Sequence, residues 1–511
     1  MHAWNDGYVT DILYTHGYYG ELNPLYAQLM ILSAGFAAPE EKKCHCELGF
    51  GQGLSLNIHA AATGDTWYGN DFNPAQVSYA QKLAKISGAD VHLYDDSFED
   101  FLARRDLPQF DTINLHGIWS WINNENKHFI VHFIRDRLKP GGLVYVSYNT
   151  TPGWTGFLAV RNLMNLHANT ASPKGASIDH RVKSALQFAA DLFDTNPHYM
   201  RLHPNEKAKL SKLKSSASSY LAHEYFNQSW TPIFFSDLHN MLSAAKLDFA
   251  CSATASEHID EVNLTAQQKE FLATIENPVV REESRDLIVN QQFRRDFWIK
   301  GCRQLLRHEY VEKLRQIKVV LKVGRSQIEL AAKGALGTVK LDMAQFSPIL
   351  DLIENNQAIS IGEIADHVSN VQMNFDSVVK VLVALLAMRY IAPAQETISE
   401  SAKKASTRLN DFILSENEHV ESLRFLCSPV TGGGIPVDRI NALFLLGLRR
   451  GLSSASEIAD FAVRDLNLKN QTVMYKGNPV RENEKLRLVM EERAALYLSI
   501  QVPVLKALKV I

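Results

Sequence analysis

The stretch Glu47-Leu48-Gly49-Phe50-Gly51-Gln52-Gly53 sets three alternate glycines directly behind a carboxylate. Glycines at that spacing let the backbone turn tightly and come close to a ligand, and a helix starting at the turn offers it free N–H groups. Nicotinamide and flavin enzymes use similar turns, so the turn alone does not name the ligand. Three acidic stations narrow it. Glu47 can face a cationic amino group, and Asp71, 22 residues after Gly49, can accept from both hydroxyls of a ribose. Asp95-Asp96-Ser97 follows, placed to read an adenine amino group. Each station also suits a helix N-cap or a solvated loop carboxylate. All three together with the glycine turn favour a ligand.

Aromatic residues can wall a reaction site beside it. Tyr14, Tyr18 and Tyr19 precede the first strand, in a segment able to fold over the ligand. His116-Gly117, Trp119 and Trp121 follow the fourth strand, and Tyr148, Asn149 and Trp154 the fifth. In an open parallel sheet these C-terminal strand ends define the site, and aromatic faces favour a sulfonium or ammonium above them. Trp119 and Trp121 suit packing of their own loop equally well, and Asn149 either bonds an incoming amine or holds its own turn. Glu224 and Tyr225 can orient an ammonium and wall its channel, or cap and pack their own segment. Cys44-His45-Cys46 does not read as a metal site: on a strand the two cysteines share one face and His45 the other, and no second ligand pair follows nearby. Gly432-Gly433-Gly434 lacks a following Lys-Ser/Thr and is expected to be a flexible loop rather than a phosphate cradle.

These residues need a scaffold, and alternating strands and helices predict one. Cys44–Leu48, Thr66–Asp71, Val91–Asp95, Thr112–His116 and Leu143–Tyr148 read as strands. Leu54–Ala62, Pro74–Ser87, Ser97–Arg104 and Asn126–Leu138 read as helices between them, which implies a parallel sheet covered on both faces. Residues 155–225 are mostly helical and read as an insertion at the strand ends. A helix at Phe235–Leu247 and strands at Asp248–Ala253 and Leu287–Ile299 would complete the sheet edge as an antiparallel pair.

The remainder reads as separate units. Pro348–Asn355, Ile361–Val368 and Phe375–Tyr390 are helical stretches in a winged-helix-like layout. Between Lys340 and Pro393 there are three basic and six acidic residues, the wrong balance for a nucleic-acid reader, so protein contact is expected. With 511 residues, 46% hydrophobic, 21% charged and a net charge of -3, the chain reads as a multidomain globular protein with no global pull toward nucleic acid. Met1-His2-Ala3-Trp4-Asn5-Asp6 shows no secretory signal, Val381–Met388 is too short an apolar run to span a bilayer, and five irregularly spaced cysteines suit a reducing compartment. A cytoplasmic location is expected.

Several segments resemble the class I methyltransferases, and more narrowly the bacterial methyltransferases with a regulatory domain. That group includes the rickettsial outer-membrane-protein lysine methyltransferases. The matching segments include Tyr19–Pro24, Glu47–Asn57, Gly69–Ala75, Leu115–Trp121, Tyr148–Trp154, Leu221–Asn227, Asn290–Asp296 and Ser428–Pro436. Phe50 stands where that family usually has Cys, inside a turn that contributes backbone. The resemblance implies S-adenosylmethionine as cofactor, a protein lysine as the best-characterised acceptor in one branch, and a possible homodimer. A methyltransferase for RNA or a small molecule, or a non-catalytic S-adenosylmethionine-binding regulator, is the alternative, and the residues themselves give no expectation of metal, nucleic acid or membrane insertion. The resemblance also implies a cofactor site of Tyr14, Glu47, Gly49, Phe50, Gly51, Gly53, Asp71, Phe72, Asn73, Asp95, Asp96, Ser97, His116 and Gly117. Tyr19, His116, Trp119, Tyr148, Asn149 and Glu224 are the candidate catalytic residues. The expected fold is α/β, a Rossmann-like methyltransferase sheet with a helical insertion and a mainly helical, winged-helix-like C-terminal extension. The expected divisions are a cap segment 1–35, a catalytic core 36–154, an insertion 155–230, a sheet-completing segment 231–305, a winged-helix-like unit 306–400 and a helical unit 401–511.

Overall fold

The computed structural model describes residues 16–39, 43–173, 175–216, 218–227, 229–371, 373–418, 423–475, 477–480 and 482–511. Its centre is a seven-stranded sheet of β1 (Cys44–Leu48), β2 (Thr66–Asn70), β3 (Val91–Tyr94), β4 (Phe110–Leu115), β5 (Leu138–Asn149), β6 (Leu247–Ser252) and β7 (Phe293–Lys300). The strand order is β3-β2-β1-β4-β5-β7-β6, with β7 antiparallel to both its neighbours. β4 is buried along its whole length, as a central parallel strand covered on both faces must be.

The α-helices as far as residue 170 are α1 (Pro24–Ser33), α2 (Leu54–Thr63), α3 (Pro74–Ser87), α4 (Phe98–Ala103), α5 (Asn124–Arg137) and α6 (Thr151–Thr170). Local chemistry sets their ends. Asn73 accepts the Ala75 N–H at 3.0 Å, Pro74 opens α3, and Gly88 at φ +67 closes it. One face of the sheet is packed by Phe101, Ile130, Phe133 and Ile134 from α4 and α5 and by Leu238 and Leu242 from the helix Phe235–Ser243. α6 follows β5 at once, so the helical excursion starts at Thr151 rather than residue 155, and it builds a core of its own around Phe157, Met164, Val182 and Phe193.

Three expectations change. Leu138 pairs with Phe110 and Leu143 with Thr112, so Lys139–Gly142 bulges out within β5 instead of preceding it, and Lys139 Nζ reaches Asp111 at 2.7 Å. The first part of the expected strand Leu287–Ile299 is the end of a helix, Pro278–Val289: Asn277 caps its start and Asn290, at φ +51, closes it before β7. The C-terminal half is not a set of separate units. Strands Lys318–Leu321, Ile359–Ser360 and Ile391–Ala394 form a small antiparallel sheet with helices Met343–Leu352, Ile361–Val368 and Phe375–Ala387, a winged-helix-like arrangement. Its Ile349 and Leu382 share one apolar core with Met30 of α1 and with Tyr145 and Phe297 of the main sheet.

The helix Glu400–Glu416 lies across α2 and α3, burying Ile58, Ala61 and Leu83 against Leu409 and Ile413. Every residue of α2 is consequently buried. The expected flexible loop at Ser428–Pro436 is a buried hairpin of Phe425–Ser428 with Gly433–Pro436. It packs on the segment ahead of α1: the Gly434 N–H donates to the Tyr18 hydroxyl at 2.6 Å, and Asn23 Nδ2 donates to the Thr431 carbonyl at 2.9 Å.

Candidate active site

A cavity of about 220 Å³ opens at the C-terminal ends of the parallel strands. The turn from β1 to α2 forms its floor, and Gly49, Gly51 and Gly53 all adopt left-handed backbone there. A Cβ on Gly51 would meet nothing within 4 Å, so the chain is bare toward the cavity, whereas a Cβ on Gly53 would come within 2.5 Å of Ala80. The first glycine admits a ligand and the second lets α2 approach α3.

Two acids sit under this turn. Glu47 is 3% exposed, and burial, with some repulsion from Asp71, pushes its carboxyl up to about 8; its Oε2 has no partner. Asp71 accepts the Gly51 N–H at Oδ2 and the Asn73 N–H at Oδ1, both at 2.9 Å, yet burial outweighs those bonds and raises it to about 7. With its amide nitrogen facing the carboxylate, Gln76 adds donors at 3.0 and 3.2 Å. Asn70 Nδ2 ties the end of β2 to the Asp96 carbonyl at 3.0 Å, and its Oδ1 is unpartnered.

The opposite wall is aromatic. Tyr19 stacks on His116 with ring centroids 3.4 Å apart, and Phe293 stands edge-on to His116 at 6.4 Å. His116 Nδ1 lies 2.8 Å from the Tyr145 hydroxyl, and burial, helped by the Arg295 charge, drives the imidazole well below its ordinary range, so the ring is neutral. Tyr19 is fixed through its backbone: its N–H donates to Ser55 Oγ at 2.9 Å and its carbonyl accepts from His59 Nε2 at 3.2 Å. Glu224, from the insertion, lines the same cavity and helps raise the Tyr19 phenol.

Of the expected site residues, Tyr19, Glu47, Gly49, Phe50, Gly51, Gly53, Asp71, Phe72, Ser97, His116, Gly117 and Glu224 meet here. Tyr14 lies outside the described residues. Asn73 does not line the cavity; it caps α3. Asp95 does not line it either, and Asp96 is turned away by Arg104, whose guanidinium pairs with it at 3.0 Å. Trp119 is wholly buried in the core beneath the sheet, while Trp121 reaches the cavity. Tyr148 donates to Asp296 at 2.7 Å, because β5–β7 pairing sets it beside the buried Arg294–Asp296 pair. Asn149 holds its turn by accepting from Trp154 Nε1 at 2.9 Å, and Tyr225 packs on Trp154 and Phe157 rather than on the cavity.

Sequence reading missed Asn70, Gln76, Ile118, Ile122, Asn126 and Phe293. Asn126 lies in the first turn of α5, but Ile118 and Ile122 lie in the turn before it, where no regular period could have pointed to them. Among the described residues no group of three His, Cys, Asp or Glu side chains could hold a metal ion. No helix there is long and apolar enough to cross a membrane.

The fold and this site define a class I methyltransferase that uses S-adenosylmethionine. The chain matches a methyltransferase domain over residues 46–142 and a predicted methyltransferase regulatory domain over residues 217–300. It is 36% identical over 453 residues to an uncharacterized protein of Synechocystis, covering 88% of each chain. It is also 25% identical over 283 residues to an uncharacterized protein of Rickettsia prowazekii, covering 54% of this chain and 49% of that one. The solved structure of PKMT2 from Rickettsia typhi in complex with AdoHcy has the same fold, with a TM-score of 0.68 at 18% identity, covering 97% of this chain and 99% of that one. The chain belongs to the family of methyltransferases that carry the methyltransferase regulatory domain.

Proposed function

We propose that the enzyme methylates the side-chain amine of a protein lysine. The observation that carries this reading is one cavity holding the glycine turn, the carboxylate of Glu224 and the rings of Tyr19, His116, Trp121 and Phe293. When bound, S-adenosylmethionine supplies a methyl group on a positively charged sulfur. The unpartnered Glu47 Oε2 is the acceptor for its ammonium, Asp71 for its ribose hydroxyls, and the bare backbone at Gly51 and Gly117 makes room for it. Ser97 and Phe98 are left to flank the base, since Asp95 and Asp96 do not line the cavity.

The chain's remaining work is alignment and proton removal. Glu224 orients an incoming ammonium, and aromatic faces accept the cation while excluding water. Desolvation there lowers the amine pKa from its usual value of about 10.4. His116, linked through Nδ1 to the Tyr145 hydroxyl, stays neutral and walls the site, and the amine gives up its proton to water before the aromatic channel closes around it. On the resemblance to bacterial lysine methyltransferases we extend the proposal to a homodimer in the bacterial cytoplasm.

The test uses full-length protein, methyl-labelled S-adenosylmethionine and host lysate, followed by separation of protein, RNA and small molecules. Label should enter protein and be recovered as methyllysine after hydrolysis. Glu224→Gln should lower transfer by about tenfold or more, the cost of one charge-assisted contact, while leaving S-adenosylhomocysteine affinity unchanged. Label in RNA or small molecules would refute the lysine assignment, and full-rate transfer by Glu224→Gln would refute the role given to Glu224.

A further inference from the structure

A second cavity, of about 470 Å³, lies next to the first where several parts of the chain meet. Tyr19 faces the active site, and its neighbour Tyr18 lines this second space. Besides the hairpin Phe425–Pro436 and the loop after β6, its walls come from the segment ahead of α1, from β7, from the small antiparallel sheet and from the last helices. Three cations line it, Arg295, Lys322 and Arg389, against one carboxylate, Glu21. Arg295 and Glu21 stand 3.8 Å apart, too far for a hydrogen bond, and the buried Arg295 Nε has no acceptor.

The Lys322 and Arg389 side chains have no ion-pair or hydrogen-bond partner among the described residues. The backbone brings them together: the Lys322 N–H donates to the Tyr390 carbonyl at 2.8 Å, and Arg389 is held at φ +63. Burial and the Arg389 charge hold the Lys322 ammonium down to about 8. Tyr497, 5% exposed, lines the same space with a buried hydroxyl that has no partner. Leu386, Ile391 and Leu505 make part of the wall apolar.

Two adjacent like charges without counterions weaken a fold, and a buried hydroxyl without a partner does so too. An anion would satisfy all of them at once. We propose that this cavity binds a small organic anion, a carboxylate or phosphate monoester on an apolar body, with Lys322 and Arg389 on the charged head. The Tyr497 hydroxyl and Arg295 Nε supply further donors, and Leu386, Ile391 and Leu505 hold the body.

The experiment is calorimetric titration of the full-length protein with inorganic phosphate, glycerol phosphate and hexanoate, at ionic strength matched with potassium chloride. At least one of them should bind with Kd below about 1 mM, and the preferred probe tells a phosphate site from a carboxylate site. The double variant Lys322→Met/Arg389→Met should lose affinity by about tenfold or more, while Tyr497→Phe should lose several-fold. The unliganded double variant should melt no lower than the parent, because a repelling pair is gone. No binding by any of the three probes, undiminished binding by the double variant, or a lowered melting temperature that marks the cations as structural would each overturn the proposal.

Discussion

Replacing Glu47 with Gln should make the free protein more stable at alkaline pH while weakening the cofactor. In the free protein the Glu47 carboxyl is held at about 8 instead of its ordinary 4.5. Between those values the unfolded chain is ionised while the folded chain keeps its proton, so the group's contribution to stability falls as pH rises toward 8. A displacement of about 3.5 pH units at about 1.36 kcal/mol each amounts to roughly 5 kcal/mol, an upper limit that local relaxation reduces. The amide of the Glu47→Gln variant has no charge to desolvate, so the variant's advantage over the parent should be near zero at pH 5 and several kcal/mol at pH 8.

Thermal melts of both proteins at the two pH values read this directly, as a gap of several degrees that opens only at the higher pH. Calorimetry supplies the other half. S-adenosylhomocysteine, whose ammonium needs an ionised Glu47, should bind the parent more tightly as pH rises from 6 to 8. The variant should bind about 1.5–3 kcal/mol more weakly with a flatter pH profile. Equal melting temperatures at pH 8, or parent-like pH dependence in Glu47→Gln, would refute the reasoning.

Asp71→Ala should cost S-adenosylhomocysteine affinity about a hundredfold or more by calorimetry, since two ribose hydroxyls lose one charged acceptor and the Gly51 and Asn73 N–H groups lose theirs. Gly434→Ala would put a Cβ 2.9 Å from the Tyr18 ring. It should displace the segment that carries Tyr19 and lower kcat/KM for methyl transfer by about tenfold, a cost of about 1–3 kcal/mol typical of overpacking. Gly51→Ala has open space toward the cavity but a left-handed backbone, so it should lower the melting temperature modestly and also weaken the cofactor, read by the same calorimetry.

The strands and helices from Cys44 to Tyr148 were legible because each carries its own period and its own punctuation; α3, with Asn73, Pro74 and Gly88, is the clearest case. The floor of the cavity was legible for a related reason. The glycines, Glu47 and Asp71 act close to where the chain itself turns, so sequence order nearly equals spatial order. Asp95 and Asp96 misled because a local rule cannot see Arg104, which turns Asp96 outward. Trp119 and Tyr148 misled because strand-end position does not determine which way a side chain points; pairing with β7 decided it for Tyr148. Phe293 went unseen because it reaches the cavity only when a strand from far along the chain inserts beside β5. The burial of α2 did leave a trace in the sequence: a helix reading Leu-Ser-Leu-Asn-Ile-His-Ala-Ala-Ala-Thr has no charged face to give to water.

The hydrogen bond from Gly434 to Tyr18 joins residues 416 positions apart. A ribosome adding about 5–20 residues per second needs roughly 20 to 80 s to travel between them. Only in the last part of that interval, once β7 has emerged, can the seven-stranded sheet be complete while the hairpin that secures Tyr18 has yet to be translated. Until then the Tyr18 hydroxyl lacks the N–H that donates to it, and a chain cut short before residue 434 never gains it. The segment ahead of α1 is thus fastened by a hairpin made more than 400 residues after it.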